Sequence, residues 1–140
     1  MRVPAFLALT FAVLAAQPAA AAPGDPSAEG LWMNPYRSVA VRAGPCGDRL
    51  CGWVVWASAD AQADARDSGV DRLIGTELLQ DYRRANLRAW HGTVYIPDMG
   101  RRFYSEIDQL SAGQLKVKGC ILGGLVCKSQ MWTRIDAIPN

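Results

Sequence analysis

The chain has 140 residues, 20% of them charged, and a formal net charge of +2 at pH 7. Because acidic and basic residues are interspersed, the sequence predicts neither nucleic-acid binding nor electrostatic attachment to an anionic membrane. The length is enough for one domain with a single hydrophobic core.

The N-terminal residues have the pattern of a secretory signal peptide. Arg2 carries the positive charge, Phe6–Ala16 is an apolar run too short to span a bilayer, and small residues follow at Ala19–Ala22. We expect cleavage after Ala21, because cleavage one residue later would leave proline at the first position. No later window is apolar enough for a transmembrane helix, so the mature protein is predicted to be exported, either periplasmic or secreted. The predicted segments are a signal peptide (1–21), a tether (22–29), a β-barrel domain (30–136) and a tail (137–140).

Four cysteines in an exported chain predict two disulfides, since an oxidising compartment preserves them. Their spacing alone leaves the pairing open. Zinc is the alternative, but the cysteines lie in Cys-x4-Cys and Cys-x6-Cys spacings, and the sole histidine, His91, is remote from both. We therefore predict neither a metal site nor a cofactor.

The first predicted strands are Gly30–Trp32, Arg37–Ala43 and Leu50–Ala57. If Cys46 and Cys51 face each other across a four-residue loop, Val41 lies opposite Trp56. The apolar residues of both strands then share one face, so the disulfide and the hydrophobic pattern agree.

The next segment, Ser58–Gly69, is rich in alanine and aspartate, and it predicts a short exposed helix or a mobile loop. It lacks the alternating ligands and terminal glutamate of a calcium loop, so its aspartates are expected on a solvated face. A weaker strand pair is expected around Leu73-Ile74 and Glu77–Leu79.

A firmer hairpin joins Ala89–Ile96 to Arg101–Asp108 through the turn Pro97–Gly100. Pairing Ile96 with Arg101 brings the apolar residues of both strands to one face. That face pairs Trp90 with Ile107 and Val94 with Phe103. The same register places His91 opposite Glu106 on the other face, which gives the histidine a surface role rather than a catalytic one.

The last predicted hairpin joins Gln114–Leu122 to Val126–Ile135 through a Gly-Gly turn. A disulfide between Cys120 and Cys127 fits this turn, as one between Cys46 and Cys51 fits the earlier hairpin. The resulting register pairs Leu115 with Trp132 and Val117 with Gln130 on the inner face. The amide of Gln130 then lies among apolar neighbours, where an unpaired polar group costs about 1–3 kcal/mol.

About eight short strands separated by turns, without a sustained helical period, predict an all-β antiparallel meander. A meander of this size removes its edges best by closing into a small β-barrel, here with one short helix or loop insertion. A two-sheet sandwich is the alternative, because alternation along the strands is common to both architectures.

Five segments together resemble a known bacterial family. They are Gly30–Trp32, Cys46–Gly52 with Trp56 behind it, Trp90–Pro97 leading to Gly100 and Tyr104, Leu115–Cys120, and Trp132–Arg134. In these segments the chain resembles the exported family catalogued as domain of unknown function 2147. The resemblance implies a lipocalin-like β-barrel outside the cytoplasm, with no agreed activity. Ser58–Gly69 departs from the family pattern because it contains no asparagine.

The Gly-x-Trp of the first strand and the arginine of the last also resemble the closure of lipocalins, in which a guanidinium lies over an indole. In this chain the pair is Trp32 and Arg134. Because a closed barrel pairs its terminal strands, we expect these side chains to seal one end through a contact worth on the order of 1 kcal/mol.

The favoured function is a binding module, because a barrel of this size can enclose one small, apolar ligand. The inner-face residues expected to contact such a ligand are Trp56, Trp90, Phe103, Gln130 and Trp132. A core filled by these aromatic side chains is the competing interpretation of the same residues.

Two further hypotheses stay open. The chain could be an envelope structural or protein-interaction module that uses outer-face residues such as Trp53, Val55 and Met131. An enzyme is the least favoured hypothesis, since the sequence has no Gly-x-Ser-x-Gly motif, no Cys-His pair with a free thiol and no clustered metal ligands. No catalytic residue, nucleic-acid partner or specific protein partner is predicted.

Overall fold

The computed structural model describes residues 27–140. The predicted signal peptide and most of the predicted tether lie outside these residues, so they and the domain limits stay predictions. The described residues form eight strands and one α-helix, with short 3-10 turns at Pro97–Met99 and Leu122–Gly124. The elements are β1 (Gly30–Met33), β2 (Val39–Cys46), β3 (Arg49–Ala57), α1 (Ala59–Asp67), β4 (Glu77–Asn86), β5 (Ala89–Ile96), β6 (Arg101–Ser111), β7 (Gln114–Ile121) and β8 (Val126–Arg134). Within residues 27–140, no helix is long and apolar enough to cross a membrane.

The strands form one closed antiparallel barrel in which each strand pairs with the next and β8 returns to β1. The prediction of an all-β barrel is confirmed, and the sandwich alternative is wrong. Because successive strands run in opposite directions, the connections divide into two groups. We call the end with the β2–β3, β4–β5 and β6–β7 turns the closed end. The open end carries segment 34–38, α1 and the turns at 97–100 and 122–125.

The two C-terminal hairpins have the predicted registers. In β5–β6, Trp90 pairs with Ile107, Val94 with Phe103 and His91 with Glu106. In β7–β8, Leu115 pairs with Trp132, Val117 with Gln130 and Cys120 with Cys127. Both disulfides, Cys46–Cys51 and Cys120–Cys127, are present, and no cysteine within the described residues is free.

The register predicted for β2–β3 is wrong by two residues. A two-residue turn at Gly47-Asp48 pairs Cys46 with Arg49, and Val41 therefore lies opposite Val54. The disulfide to Cys51 is diagonal, with 5.8 Å between the two Cα atoms. A shift of two residues leaves each side chain on its original face, so the hydrophobic pattern does not distinguish the two registers.

A β-bulge also removes Trp56 from its predicted place. The pairing shifts between Ala40 and Val41, and Trp56 lies opposite Ala40 rather than Val41. An extra residue on one strand breaks the alternation of faces at that point. Trp56 is therefore out of phase with Val41 and Val54, and the prediction that it faces the interior is wrong.

The connection between β3 and β4 contains the predicted helix. The Ser58 hydroxyl accepts a hydrogen bond from the main-chain N–H of Ala61 at 3.1 Å, which caps α1, and Ala65 is buried in the core. The strand expected at Leu73-Ile74 is wrong. Gly75 has a φ of 95°, outside the extended region, so the regular strand begins only at Glu77.

Side chains fill the closed half of the barrel. The largest of those that are fully buried are Trp32, Val41, Val54, Leu79, Tyr82, Ile107 and Leu115. A Cβ atom at Gly92 would lie 2.6 Å from Cγ of Tyr82, so the absence of a side chain there lets the tyrosine ring pack against β5. The closed half is therefore a packed core rather than a binding site.

Candidate ligand-binding cavity

Trp32 and Arg134 plug the closed end. They are paired across β1 and β8, Trp32 is completely buried, and the Arg134 guanidinium lies 4.2 Å from the centre of its ring. The Trp32 indole N–H donates to the Ala28 carbonyl at 2.8 Å. Arg134 donates to three main-chain carbonyls, those of Ser27 (3.0 Å), Glu29 (2.8 Å) and Ala112 (2.6 Å). Each guanidinium nitrogen therefore has a main-chain partner.

Gly30 makes room for this plug. Its φ is 130°, a conformation that residues with side chains rarely adopt, and a Cβ atom there would collide with the Arg134 guanidinium. The glycine of the Gly-x-Trp motif thus lets the arginine lie against the main chain.

The open half of the barrel contains a cavity of about 440 Å³. Its lining is mainly apolar and comes from β2 and β4 to β8. The apolar residues that line it include Val39, Leu78, Val94, Ile96, Met99, Phe103, Val117, Ile121, Val126 and Trp132. The polar side chains among its walls are few, the main ones being Asn34, Lys128 and Gln130. Such a lining suits a small apolar molecule with a few polar contacts.

The barrel wall is interrupted beside this cavity, because β1 is much shorter than β8. Asn34 turns the chain away from the sheet: its side-chain oxygen accepts from the main-chain N–H groups of Ser38 (2.8 Å) and Val39 (3.1 Å). β1 therefore reaches only Thr133 and Arg134 of β8. The remainder of β8 has no strand on that side, and Val126–Gln130 are exposed. We call this gap between β8 and segment 34–38 the side opening.

The predicted ligand-binding residues lie in three different places. Phe103, Gln130 and Trp132 line the cavity. Trp90 is only 4% exposed and belongs to the packed core, with the Arg84 guanidinium 4.7 Å from its ring centre. Trp56 is not among the lining residues. Three of the five thus come together.

Gln130 is not the buried amide that the sequence predicts. It faces the cavity, but the side opening exposes it to solvent. Its side-chain oxygen accepts from the Trp132 indole N–H at 3.0 Å, and its amide nitrogen makes no hydrogen bond within residues 27–140. The expected desolvation cost therefore does not arise, and the free amide N–H groups point to a donor role.

Lys128 is the cavity residue that the sequence analysis missed. It lies opposite Gly119, two residues from Gln130 on the same face of β8, and it lines the cavity. The predicted register already places it on the inner face. The signal for Lys128 is therefore its alternation with Gln130 and Trp132 along β8.

Three buried polar atoms have no hydrogen-bond partner among the described residues. They are Oη of Tyr82, Oγ of Ser105 and Oε1 of Gln109. Burial raises the pKa of the Tyr82 phenol, so the side chain is neutral at physiological pH. None of the three residues lines the cavity, and they belong to the packed half.

The outer face of β5–β7 carries a polar network. Glu106 forms an ion pair with Lys118, and the Tyr104 hydroxyl donates to Glu106 at 3.1 Å. The hydrogen bond from Lys118 is the main cause that lowers the pKa of Glu106, and the same bond raises the pKa of Lys118. His91 is exposed, and its ring centre lies 6.1 Å from that of Tyr104. The histidine thus lies on the outer face, away from the cavity.

The outer-face residues proposed for a partner surface do not form one patch. Trp53 and Val55 belong to β3 and are partly buried, whereas Met131 belongs to β8 and is separated from them by β1 and β2. Exposed apolar side chains instead gather at the β7–β8 turn, where Leu122 is 69% and Leu125 is 86% exposed.

One solved structure supports the lipocalin-like expectation. The chain is similar to protein HP1028 from the human pathogen Helicobacter pylori, which is described as belonging to the lipocalin family. The identity is 16%, the match covers 79% of this chain and 84% of HP1028, and the TM-score is 0.62. At this identity the likeness establishes the fold.

No curated protein matches the chain. The model of a bacterial family does match, over residues 30–134, the segment from the first residue of β1 to the last of β8. The resemblance drawn from the motifs is confirmed: the chain belongs to the family described as uncharacterized proteins conserved in bacteria, DUF2147.

Proposed function

We propose that this protein binds a small, largely apolar molecule inside the barrel and does so outside the cytoplasm. The observation that carries the proposal is the apolar cavity of about 440 Å³ above a closed end plugged by Trp32 and Arg134. Small-molecule sites typically enclose roughly 300–1,000 Å³. The two disulfides support export, because they persist in oxidising compartments.

The lining favours binding over catalysis. Within the described part of the chain, no aspartate, glutamate or histidine lines the cavity, so these walls offer no carboxylate or imidazole for proton transfer. The side chains that face the space can enclose and orient a molecule, and Lys128 and Gln130 can contact a polar group on it.

Filling the cavity tests the proposal. Gly119 lines it, and a Cβ atom there would lie 3.5 Å from Cγ1 of Val94, an ordinary contact, so Gly119→Leu should fill space without straining the main chain. The probe is N-phenylnaphthylamine, an uncharged apolar fluorophore. Wild type should bind it saturably and quench Trp132 fluorescence, whereas Gly119→Leu should weaken binding by about tenfold or more, a loss of about 1.4 kcal/mol.

The matched control is Gly44→Leu. Gly44 lies on β2 towards the closed end, and no atom lies within 4 Å of a Cβ atom built there. This variant should bind the probe as wild type does. Absence of saturable binding to wild type, or equal binding by Gly119→Leu, would contradict a cavity site.

An interaction module is the second candidate, favoured by the exposed Leu122 and Leu125 at the β7–β8 turn. It is tested by in vivo photo-crosslinking from position 125 in the envelope of the native host. A defined cross-linked protein that disappears with Leu122→Ser, in a variant that still binds N-phenylnaphthylamine, would favour this function over ligand binding.

A further inference from the structure

Lys128 is a cation that lines an apolar cavity without a counter-charge. We propose that the molecule held in this cavity is an anionic amphiphile, with an apolar chain or ring system and one carboxylate or phosphate head group. The head group binds Lys128 at the side opening, and the apolar part occupies the cavity. This inference rests on the proposed function and names the ligand class for the same site.

The position of Lys128 follows from the β7–β8 register. Lys128, Gln130 and Trp132 alternate with outward residues on β8, so all three face the cavity that they line. Gly119 is the residue opposite Lys128, and it has no side chain to occupy the space. A bound head group can therefore reach the ammonium from within the barrel.

The charge of Lys128 is not compensated. Within residues 27–140 the ion pairs are Arg49–Asp48 and Lys118–Glu106, and neither involves Lys128. Among the residues that the structure describes, no acidic one lines the cavity. A cationic ligand would add a like charge to this region, while an anionic one would supply the missing counter-ion.

The polar side chains beside Lys128 include hydrogen-bond donors. The Gln130 oxygen accepts from the Trp132 indole N–H, and the amide N–H groups of Gln130 make no hydrogen bond within residues 27–140. The Asn34 oxygen is occupied by the main-chain N–H groups of Ser38 and Val39. An ammonium and a free amide together match an oxyanion, which accepts several hydrogen bonds and donates none.

The side opening explains how both halves of an amphiphile are accommodated. Lys128 and Gln130 are exposed, so the head group can keep part of its hydration while it binds them. Val94, Phe103 and Val117 line the interior behind them and would cover the apolar part. The competing interpretation is that Lys128 only protects the unpaired edge of β8 against association with other strands. In that case the charge of the ligand should not affect its binding affinity.

The experiment compares ligands that differ only in the head group. Displacement of N-phenylnaphthylamine from the full mature protein is measured with dodecanoate, dodecyl phosphate, dodecanol and dodecylamine. Each is used below its solubility limit and, where it forms micelles, below its micelle concentration. We expect both anions to bind about five- to tenfold more tightly than dodecanol, and dodecylamine to bind more weakly than dodecanol. Lys128→Met should remove the preference for anions, so that dodecanoate and dodecanol bind about equally, whereas Lys128→Arg should keep the preference.

Lys116→Met is the matched control, because Lys116 lies opposite Met131 on the outer face of the same hairpin. It removes one charge without touching the cavity, so it should keep the preference for anions. Equal binding of dodecanoate and dodecanol to wild type, or an equal loss of anion preference in both methionine variants, would overturn the inference. The proposed function would still stand if dodecanol and N-phenylnaphthylamine bind, and it fails separately if neither binds.

Discussion

Two cations on one strand separate the closed end of this barrel from its open end. Arg134 and Lys128 both lie on the inner face of β8. Arg134 lies over an indole and donates to three carbonyls, so its guanidinium is bound within the fold on every side that donates. Lys128 has no ion-pair partner among the described residues and lies beside solvent. What distinguishes a structural cation from one that is available to a ligand is therefore the set of partners around it.

The chemistry of the two side chains suits these roles. The planar guanidinium can donate in several fixed directions at once, which fits three carbonyls from different segments. An ammonium on a flexible stem has no such preorganised geometry, and it can follow a ligand at an open rim. The comparison leads to four predictions.

Arg134→Lys should give the largest loss, about 2–3 kcal/mol in the free energy of unfolding measured by urea denaturation. The ammonium keeps the charge but cannot bind three carbonyls from different segments and stack on Trp32 at once, so several of these contacts are lost together. Lys128→Met should change stability by less than about 0.5 kcal/mol, as expected for an exposed side chain without partners. An equal loss of unfolding free energy in the two variants would contradict the different roles assigned to Arg134 and Lys128.

The disulfides allow the two ends to be compared again. The closed-end pair Cys46–Cys51 and the open-end pair Cys120–Cys127 enclose loops of similar length, with sequence separations of 5 and 7. Replacing either pair by alanine should cost roughly 2 kcal/mol of stability. Only the open-end variant should also weaken N-phenylnaphthylamine binding, since Cys127 borders the cavity. A binding loss in the closed-end variant would show that the two ends are coupled.

Lys118 is a third kind of cation, paired on the outer surface, and it should contribute less than Arg134. Glu106→Gln should lower stability by no more than about 1 kcal/mol at neutral pH, because the pair lies at the surface, with its side chains 28% and 24% exposed. The pKa of Glu106 is lowered in the folded state, so its contribution is present above the ordinary pKa of glutamate and disappears as the pH falls through the lowered value. Urea denaturation of both proteins should therefore converge in acid. A difference that grows in acid would contradict the assigned sign.

His91→Ala should have the smallest effect, a few tenths of a kcal/mol, since the exposed ring contacts only the outer network. Ligand binding should be unchanged, because His91 does not line the cavity. A loss of N-phenylnaphthylamine binding or of a measurable activity with intact folding would revive the enzymatic hypothesis.

The sequence was sufficient for the fold and for the two C-terminal hairpins, where the turn and the apolar alternation select the same register. The register predicted for β2–β3 was wrong for a physical reason. Registers that differ by two residues keep every side chain on its face, and Cys46 can reach Cys51 either directly or diagonally. The bulge that displaces Trp56 leaves no mark on a hydrophobic pattern, because it is a local main-chain irregularity.

The candidate site could be predicted only in part. Phe103, Gln130 and Trp132 follow from registers that the sequence determines, and Lys128 follows from the same registers. The side opening does not follow from these registers, because it depends on how far β1 extends along β8. That length is set by the side-chain turn at Asn34, whose hydrogen bonds to Ser38 and Val39 replace further strand pairing.

The seam between β1 and β8 has a consequence for the order in which the barrel assembles. Its contacts join residues 105 and 107 positions apart, whereas neighbouring strands such as β5 and β6 are joined by short turns. Closing so long a loop costs the most chain entropy, so the hairpins should form first and the seam last. Only two residue pairs of the strand ladder cross the seam, so its closure relies on Arg134, and in Arg134→Lys it should be the first part of the wall to open. Each such opening widens the gap beside Lys128, so a bound molecule should leave the cavity more readily.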